Sequence, residues 1–379
     1  MISMNRRTAM TGALTTGLLG GTAFPALAMI RQASAPDALM VEAIAATGAP
    51  PAITAAIVTR EGLEWSGVRG VRRAGESDAA TLDDRWHLGS NTKAMTAAVF
   101  ARLVDQGRAR WAMPLSEAFP GDTIDPALGG VTLDDLMRHK AGLMDAAVLP
   151  LPLVARADPR PAMEQRAAIA ANALSRPPTG TVGQFVYGNI NYVLMGAAIE
   201  RITGKPWEDM IGSEVFTSLG LSSAGLGAPL TNVVGGPNTW GHRTTPAGRI
   251  AVDPASPGAD NPAMLGPAGT AHMTLADYAT WVRAMIGGAP EGWLRPERIG
   301  VLTTALPGDA YALGWIARNE AWAGGNRTIA HEGSNTLWHA IVVAAPERGL
   351  GFIVLSNGGM EGRSAAVPLI QKLIAGRTA

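Results

Sequence analysis

The 379-residue chain contains no cysteine. Disulfides, thiolate nucleophiles and cysteine-ligated zinc are thereby excluded, and an oxidising compartment would be harmless to it. Charge is scarce: Asp, Glu, Lys and Arg make up 16% of residues, and 31 basic side chains cancel 31 acidic ones. No basic stripe is present, so nucleic acid is not an expected partner. Long polar or low-complexity tracts are also missing, and with 47% hydrophobic residues the chain reads as an ordered globular protein. The six histidines are scattered, and His331-Glu332 lacks the second histidine of H-E-x-x-H because position 335 is Asn. Neither a metal site nor a cofactor is expected.

The first 28 residues differ in character. Arg6-Arg7 precede an apolar, uncharged run over residues 9–24 that ends in Ala26-Leu27-Ala28. That order is the order of an export signal, and the run is short and rich in Gly and Thr, unlike a transmembrane anchor. The paired arginines resemble a twin-arginine signal, with a Sec signal as the alternative. The expectation is a periplasmic or secreted protein with residues 1–28 removed. No later stretch is long and apolar enough to span a bilayer, so no stable membrane span is expected after cleavage.

Leu39, Met40, Ala43 and Ile44 recur at helical spacing until Pro50-Pro51 breaks the pattern. Residues 52–59 and 63–70 then read as a hairpin around Arg60-Glu61-Gly62. At the other end, residues 327–331, 337–345 and 351–355 read as strands, and a helix over 364–375 closes the chain. Between about 108 and 266 the patterns are short and mainly helical. The fold class expected is α/β (α+β), with one antiparallel sheet formed by both chain ends and flanked by helices. Residues 29–107 plus 267–379 would make a discontinuous α/β domain, and 108–266 a mostly helical inserted domain.

Gly89-Ser90-Asn91-Thr92-Lys93 opens a segment whose Met95, Val99, Leu103 and Val104 share a helical face up to Gly107. Ser90 is expected at a helix N-terminus, where free backbone N–H groups and the positive end of the dipole suit an oxyanion. Residues i and i+3 lie on one face, so Lys93 can reach the Ser90 hydroxyl. A serine is a poor nucleophile until a base takes its proton, and a lysine can be that base once desolvation lowers its pKa. The plainer reading is an N-cap serine with a solvated lysine. With 15 Ser and four Lys, chance supplies S-x-x-K in about one such chain in six.

Two further pieces add weight. In Tyr187-Gly188-Asn189, a phenol beside a lysine can relay a proton, and an amide can grip both the lysine and a substrate carbonyl. His331-Glu332-Gly333-Ser334 ends a predicted strand, where Gly333 would let substrate backbone approach and the Ser334 N–H would complete an oxyanion hole. Ser90 is followed by Asn91-Thr92, so the G-x-S-x-G elbow of an α/β-hydrolase is absent. Trp315 and Trp338 read as packing residues, and Asp145, Asp253 and Glu332 are given no catalytic role.

In this order and spacing the pieces resemble the serine β-lactamase and penicillin-recognising superfamily. The branch they resemble is the class C one, which also holds family VIII esterases, D-aminopeptidases and D-alanyl-D-alanine carboxypeptidases. Similar stretches run along the chain: Trp86-His87-Leu88-Gly89, residues 132–143, Gly266-Pro267-Ala268-Gly269-Thr270, Tyr311-Ala312-Leu313-Gly314-Trp315 and Leu355-Ser356-Asn357-Gly358. The resemblance implies a β-lactamase/transpeptidase-like fold and an acyl-serine on Ser90, with Lys93 and Tyr187 sharing proton transfer. It also implies substrate binding by Asn189, His331, Gly333 and Ser334, with the backbone of Ser90 and Ser334 on the oxyanion.

One departure bears on substrate. Where β-lactamases carry Lys-Thr-Gly, this chain has His331-Glu332-Gly333, exchanging a permanent cation for a mostly neutral histidine. The adjacent Glu332 is expected to repel an anionic substrate. The function implied is a secreted serine hydrolase acting on a small-molecule ester or amide or a peptidoglycan-derived substrate, as an esterase or a D-amino-acid amidase or peptidase. Class C β-lactamase and D-alanyl-D-alanine carboxypeptidase are the alternatives, and a non-catalytic penicillin- or peptidoglycan-binding protein is the rival of another class.

Overall fold

Two runs that are apolar almost without a break, Ala52–Thr59 and Leu350–Ser356, lie side by side at the centre of the molecule. A computed structural model describes residues 35–46, 48–230, 238–246 and 248–378. The expected export signal at 1–28 lies outside the described residues. In chain order the strands are β1 (Ala52–Thr59), β2 (Leu63–Gly70), β3 (Arg85–His87), β4 (Gly225–Leu226), β5 (Gly241–Thr245), β6 (Gly248–Val252), β7 (Ala271–Thr274), β8 (Ile316–Asn319), β9 (Arg327–Ser334), β10 (His339–Ala345) and β11 (Leu350–Ser356). The longer helices are α1 (Ala35–Ala45), α2 (Thr92–Asp105), α3 (Ala162–Leu174), α4 (Asn189–Thr203), α5 (Leu275–Arg283) and α6 (Arg363–Thr378).

The main sheet runs β2-β1-β11-β10-β9-β8 and is antiparallel throughout, so both chain ends build it, as the patterning predicts. A strand buried on both faces needs no polar alternation. Ile53, Ala55 and Ile57 point with Phe352 and Val354 into the core under α1 and α6. Ala52, Ala56 and Val58 point with Ile353 and Leu355 into the larger core that contains α2. The first hairpin keeps its predicted bounds, whereas β9 runs on to Ser334 and β10 begins only at His339. The middle of the chain is not purely helical: β5 and β6 form a hairpin, and β4 joins β7 and β3 in a small sheet.

Helix α2 is buried on all sides from Thr92 to Ala101, which marks a helix through the core rather than an amphipathic cover. Ala94, Ala97, Ala98 and Ala101 give it the narrow girth this requires. Its N-terminus meets β9, the N-terminus of α4 and the turn Gly266–Gly269, and the polar side chains gather there.

Candidate active site

Gly89–Asn91 forms a single 3₁₀ turn ahead of α2, with Gly89 at φ +51°. A Cβ on Gly89 would lie 2.2 Å from Ser334 N, and one on Gly333 would lie 2.1 Å from Leu88 O and 2.7 Å from Ser90 N. Only glycine at both positions lets β9 lie directly against the turn that carries Ser90. The backbone at Ser334 is thus brought alongside the backbone at Ser90.

Lys93 is fully buried, and its Nζ makes three contacts: Ser90 Oγ at 3.0 Å, Asn189 Oδ1 at 2.8 Å and the Ala268 carbonyl at 2.8 Å. Two of those partners can only accept. An ammonium would give one N–H to each of the three. A neutral amine would give its two N–H groups to the carbonyl oxygens and turn its lone pair to the Ser90 hydroxyl. The two states differ by one proton and need no heavy atom to move. Asn189, the first residue of α4, is held in turn by Asp145, whose Oδ2 accepts from Asn189 Nδ2 at 3.1 Å.

Tyr187 is 44% exposed, and its ring centroid lies 4.9 Å from Lys93 Nζ. Its hydroxyl has no hydrogen-bond partner among the described residues, so the contact with the lysine is through the ring face. The same ring lies 4.5 Å from that of His139 and 6.3 Å from that of His331.

On β9, His331 Nδ1 donates to the Glu332 carbonyl at 2.7 Å, and Nε2 accepts from the Tyr311 hydroxyl at 3.0 Å. Burial, helped by the charge of Lys93, brings His331 down to about 3. It is a neutral ring with both nitrogens engaged. Burial also raises Tyr311 well above the ordinary phenol range and lowers His139 well below the ordinary histidine range.

The expected repulsion from Glu332 is overturned. Successive residues of a strand face opposite sides, and Glu332 is paired with Ile341, which points into the core under α6. Its carboxylate accepts from Arg363 at 2.7 and 3.1 Å and lies 3.3 Å from His339 Nε2. The His339 contact and Arg363 hold it at about 2, against the opposing effect of its partial burial. The hydroxyl of Ser334 donates to Trp338 O at 2.5 Å and accepts from Thr336 N at 2.8 Å. That side chain therefore belongs to the β9–β10 turn, and only its backbone faces Gly89. Trp315 and Trp338 are buried, as packing residues should be.

The structure thus brings Ser90, Lys93, Tyr187, Asn189, His331, Gly333 and Ser334 to one place. Asp145, Tyr311, His139 and the Ala268 carbonyl complete it, and the sequence carried little signal for them. Asp145 is 44 residues from Asn189, and a backbone carbonyl has no side-chain signature. Strand alternation was the signal available for Glu332.

A family model described as Beta-lactamase matches residues 38–376. An unguisins hydrolase of Aspergillus campestris is 24% identical over 78% of this chain and 56% of its own length. Penicillin-binding protein 4 of Amycolatopsis lactamdurans is 26% identical over 77% of each chain. Among solved structures, the D-amino acid amidase of Ochrobactrum anthropi superposes with a TM-score of 0.70 at 19% identity, covering 91% of this chain and 98% of the amidase. The likeness to the amidase is one of fold, and this chain spans only a little over half the length of the unguisins hydrolase.

Proposed function

We propose that this chain, which belongs to the Beta-lactamase family, is a hydrolase that cleaves an ester or amide through an acyl intermediate on Ser90. The observation that carries the reading is the three-way contact at Lys93 Nζ, which suits a base whose lone pair faces the serine hydroxyl. In the proposed cycle Ser90 Oγ bonds to the substrate carbonyl carbon while its proton passes to Lys93. The electron pair of the broken carbonyl π bond moves to oxygen, where the N–H groups of Ser90 and Ser334 would receive it. Collapse expels the alcohol or amine, which takes its proton from Lys93 directly or through the Tyr187 phenol. Water then cleaves the acyl-serine by the same steps, and Asn189 keeps Lys93 in line throughout.

The neutral Tyr311–His331 pair supports an uncharged substrate end rather than a carboxylate. Phe185 and Tyr187 leave apolar surface exposed beside this wall, with Phe185 5.4 Å from the Tyr311 ring and Tyr187 6.3 Å from that of His331. An ester or a D-amino-acid amide with an apolar acyl group suits these features better than a penicillin or a D-alanyl-D-alanine terminus. The fold shared with a D-amino acid amidase is in keeping with this. We also propose that residues 1–28 direct export and are removed, so that the mature protein starts after Ala28 on N-terminal sequencing.

The test is intact-mass labelling by a fluorophosphonate and a fluorescent penicillin, on the wild type and on Ser90→Ala. One adduct on the wild type and none on Ser90→Ala is expected. If neither reagent adds mass and Ser90→Ala leaves ligand binding unchanged, the protein is a binding protein and the proposal fails.

A further inference from the structure

Asp260 lies between two backbone segments that carry different halves of the proposed oxyanion site. Its Oδ1 is 2.8 Å from His87 Nε2 and accepts from Asn335 Nδ2 at 3.0 Å. His87 is fully buried, and its Nδ1 accepts the backbone N–H of Gly89, the residue before Ser90, at 3.0 Å. Because Nδ1 accepts, a neutral His87 carries its proton on Nε2, facing Asp260. That N–H is not aligned for a full hydrogen bond, so the contact is chiefly electrostatic.

On the other side, Asn335 directly follows Ser334. Its Oδ1 accepts from the N–H groups of Leu337 and Trp338 at 3.1 and 3.2 Å, and its Nδ2 also donates to Ala259 O at 3.1 Å. Asn335 therefore shapes the turn between β9 and β10. The His87 ring stacks on that of Trp338 with centroids 5.9 Å apart, closing the circuit. The next residue, Asn261, donates to Gly269 O at 2.8 Å, one residue beyond the carbonyl that holds Lys93. Asp260 Oδ2 is buried with no hydrogen-bond partner among the described residues. A buried carboxylate oxygen left unpaired is costly to stability, which points to a role in geometry rather than in holding the fold together.

We infer that Asp260 is a positioning residue that sets the spacing between the two oxyanion donors, the backbone N–H groups of Ser90 and Ser334. The inference rests on the acyl-serine reading above. Asp260 acts on one donor through His87 and Gly89 and on the other through Asn335. Its substitution loosens the oxyanion site without touching the substrate-binding wall of His331 and Tyr311.

The test compares wild type, Asp260→Ala, Asp260→Asn, Asn335→Ala and the Asp260→Ala/Asn335→Ala double variant for p-nitrophenyl ester turnover, fluorophosphonate labelling of Ser90 and Tm. Asp260→Ala is expected to lower kcat about 10²-fold, the scale of a misplacement of about 1 Å, with KM within about threefold of wild type. Asp260→Asn keeps an acceptor for both donors and is expected to recover about tenfold of that loss. Asn335→Ala should lower kcat in the same way, and by less in the Asp260→Ala background, because both act on one link. The inference is overturned if folded Asp260→Ala keeps wild-type kcat, if KM rises as much as kcat falls, or if Asn is no better than Ala. Should Asp260→Ala fail to fold, Asp260→Asn and Asn335→Ala decide by the same split between kcat and KM. A wild type that takes no label and turns over no ester overturns the acyl-serine reading itself, a result distinct from an active wild type indifferent to Asp260.

Discussion

Asp145 Oδ2 accepts a hydrogen bond from Asn189 Nδ2 at 3.1 Å, and this contact decides which end of the Asn189 amide faces Lys93. A carboxylate only accepts and a lysine ammonium only donates, so the amide nitrogen turns to Asp145 and the oxygen to Lys93. The other oxygen of Asp145 accepts the Ile190 N–H at 2.8 Å in the first turn of α4, so one side chain both caps the helix and orients its first residue.

Asp145→Ala should release that amide and cost the cap. We expect kcat/KM to fall about tenfold or more, with a loss of about 1 kcal/mol in urea unfolding. Unchanged kinetics in a folded variant would show that Asn189 keeps its orientation by other means.

Replacing Lys93 separates charge from basicity. Arginine keeps the positive charge and cannot give up its proton in a protein, so Lys93→Arg should be as poor as Lys93→Ala, each about 10³-fold or more below wild type in the rate of Ser90 labelling. An active arginine variant would mean that Lys93 serves as a cation only.

Substrate preference follows from the neutral wall at His331. Assayed side by side, p-nitrophenyl esters and a D-amino-acid anilide should be turned over faster than nitrocefin, whose carboxylate meets a neutral imidazole at position 331 instead of a fixed cation. A nitrocefin rate well above the ester rates would reverse this assignment.

Gly333→Ala tests the close approach of β9. A Cβ there would lie 2.1 Å from Leu88 O and 2.7 Å from Ser90 N, both backbone atoms, so the strand or the Ser90 turn has to shift. We expect loss of at least about 10²-fold in kcat and destabilisation of about 1–3 kcal/mol, read by ester kinetics and urea unfolding.

Stability should fall on mild acidification. His331 stands at about 3 in the folded protein against an ordinary 6.5, because burial and the charge of Lys93 disfavour its protonation. Burial lowers His139, His242 and His272 in the same direction. As the pH drops below 6.5 the unfolded chain takes up protons that the folded state refuses, so stability present above 6.5 is lost on the way towards 3. Glu332, at about 2 against an ordinary 4.5, adds a separate loss below 4.5. The urea midpoint should therefore drop between pH 6.5 and 5, and His331→Asn should make the drop shallower. A midpoint independent of pH over that interval would contradict this.

The antiparallel sheet was legible because its signals are local. Five of its six strands show as runs of residues, and the first turn shows in Arg60-Glu61-Gly62; the sixth strand, Ile316–Asn319, is four residues long and too polar to show. The hairpin in the middle of the chain was missed, since Gly241–Thr245 and Gly248–Val252 are short, half-exposed and weakly apolar. Within the site, Ser90 and Lys93 could be paired from spacing alone, because three residues along a helix returns to the same face.

What the sequence by itself determined was therefore the fold class and the adjacency of Ser90 to Lys93, both consequences of short-range periodicity. The tertiary structure decided what surrounds that lysine. The Ala268 carbonyl comes from 175 residues away, Asp145 and Asn189 meet across 44, and Asp260 links His87 to Asn335. It also decided that Glu332 faces away from Ser90 and that His331 is kept neutral by burial and the charge of Lys93, with its Nε2 engaged by Tyr311. Contacts of this kind depend on loops closing over long separations and on desolvation by residues remote in the chain, and neither leaves a periodic trace in the order of amino acids.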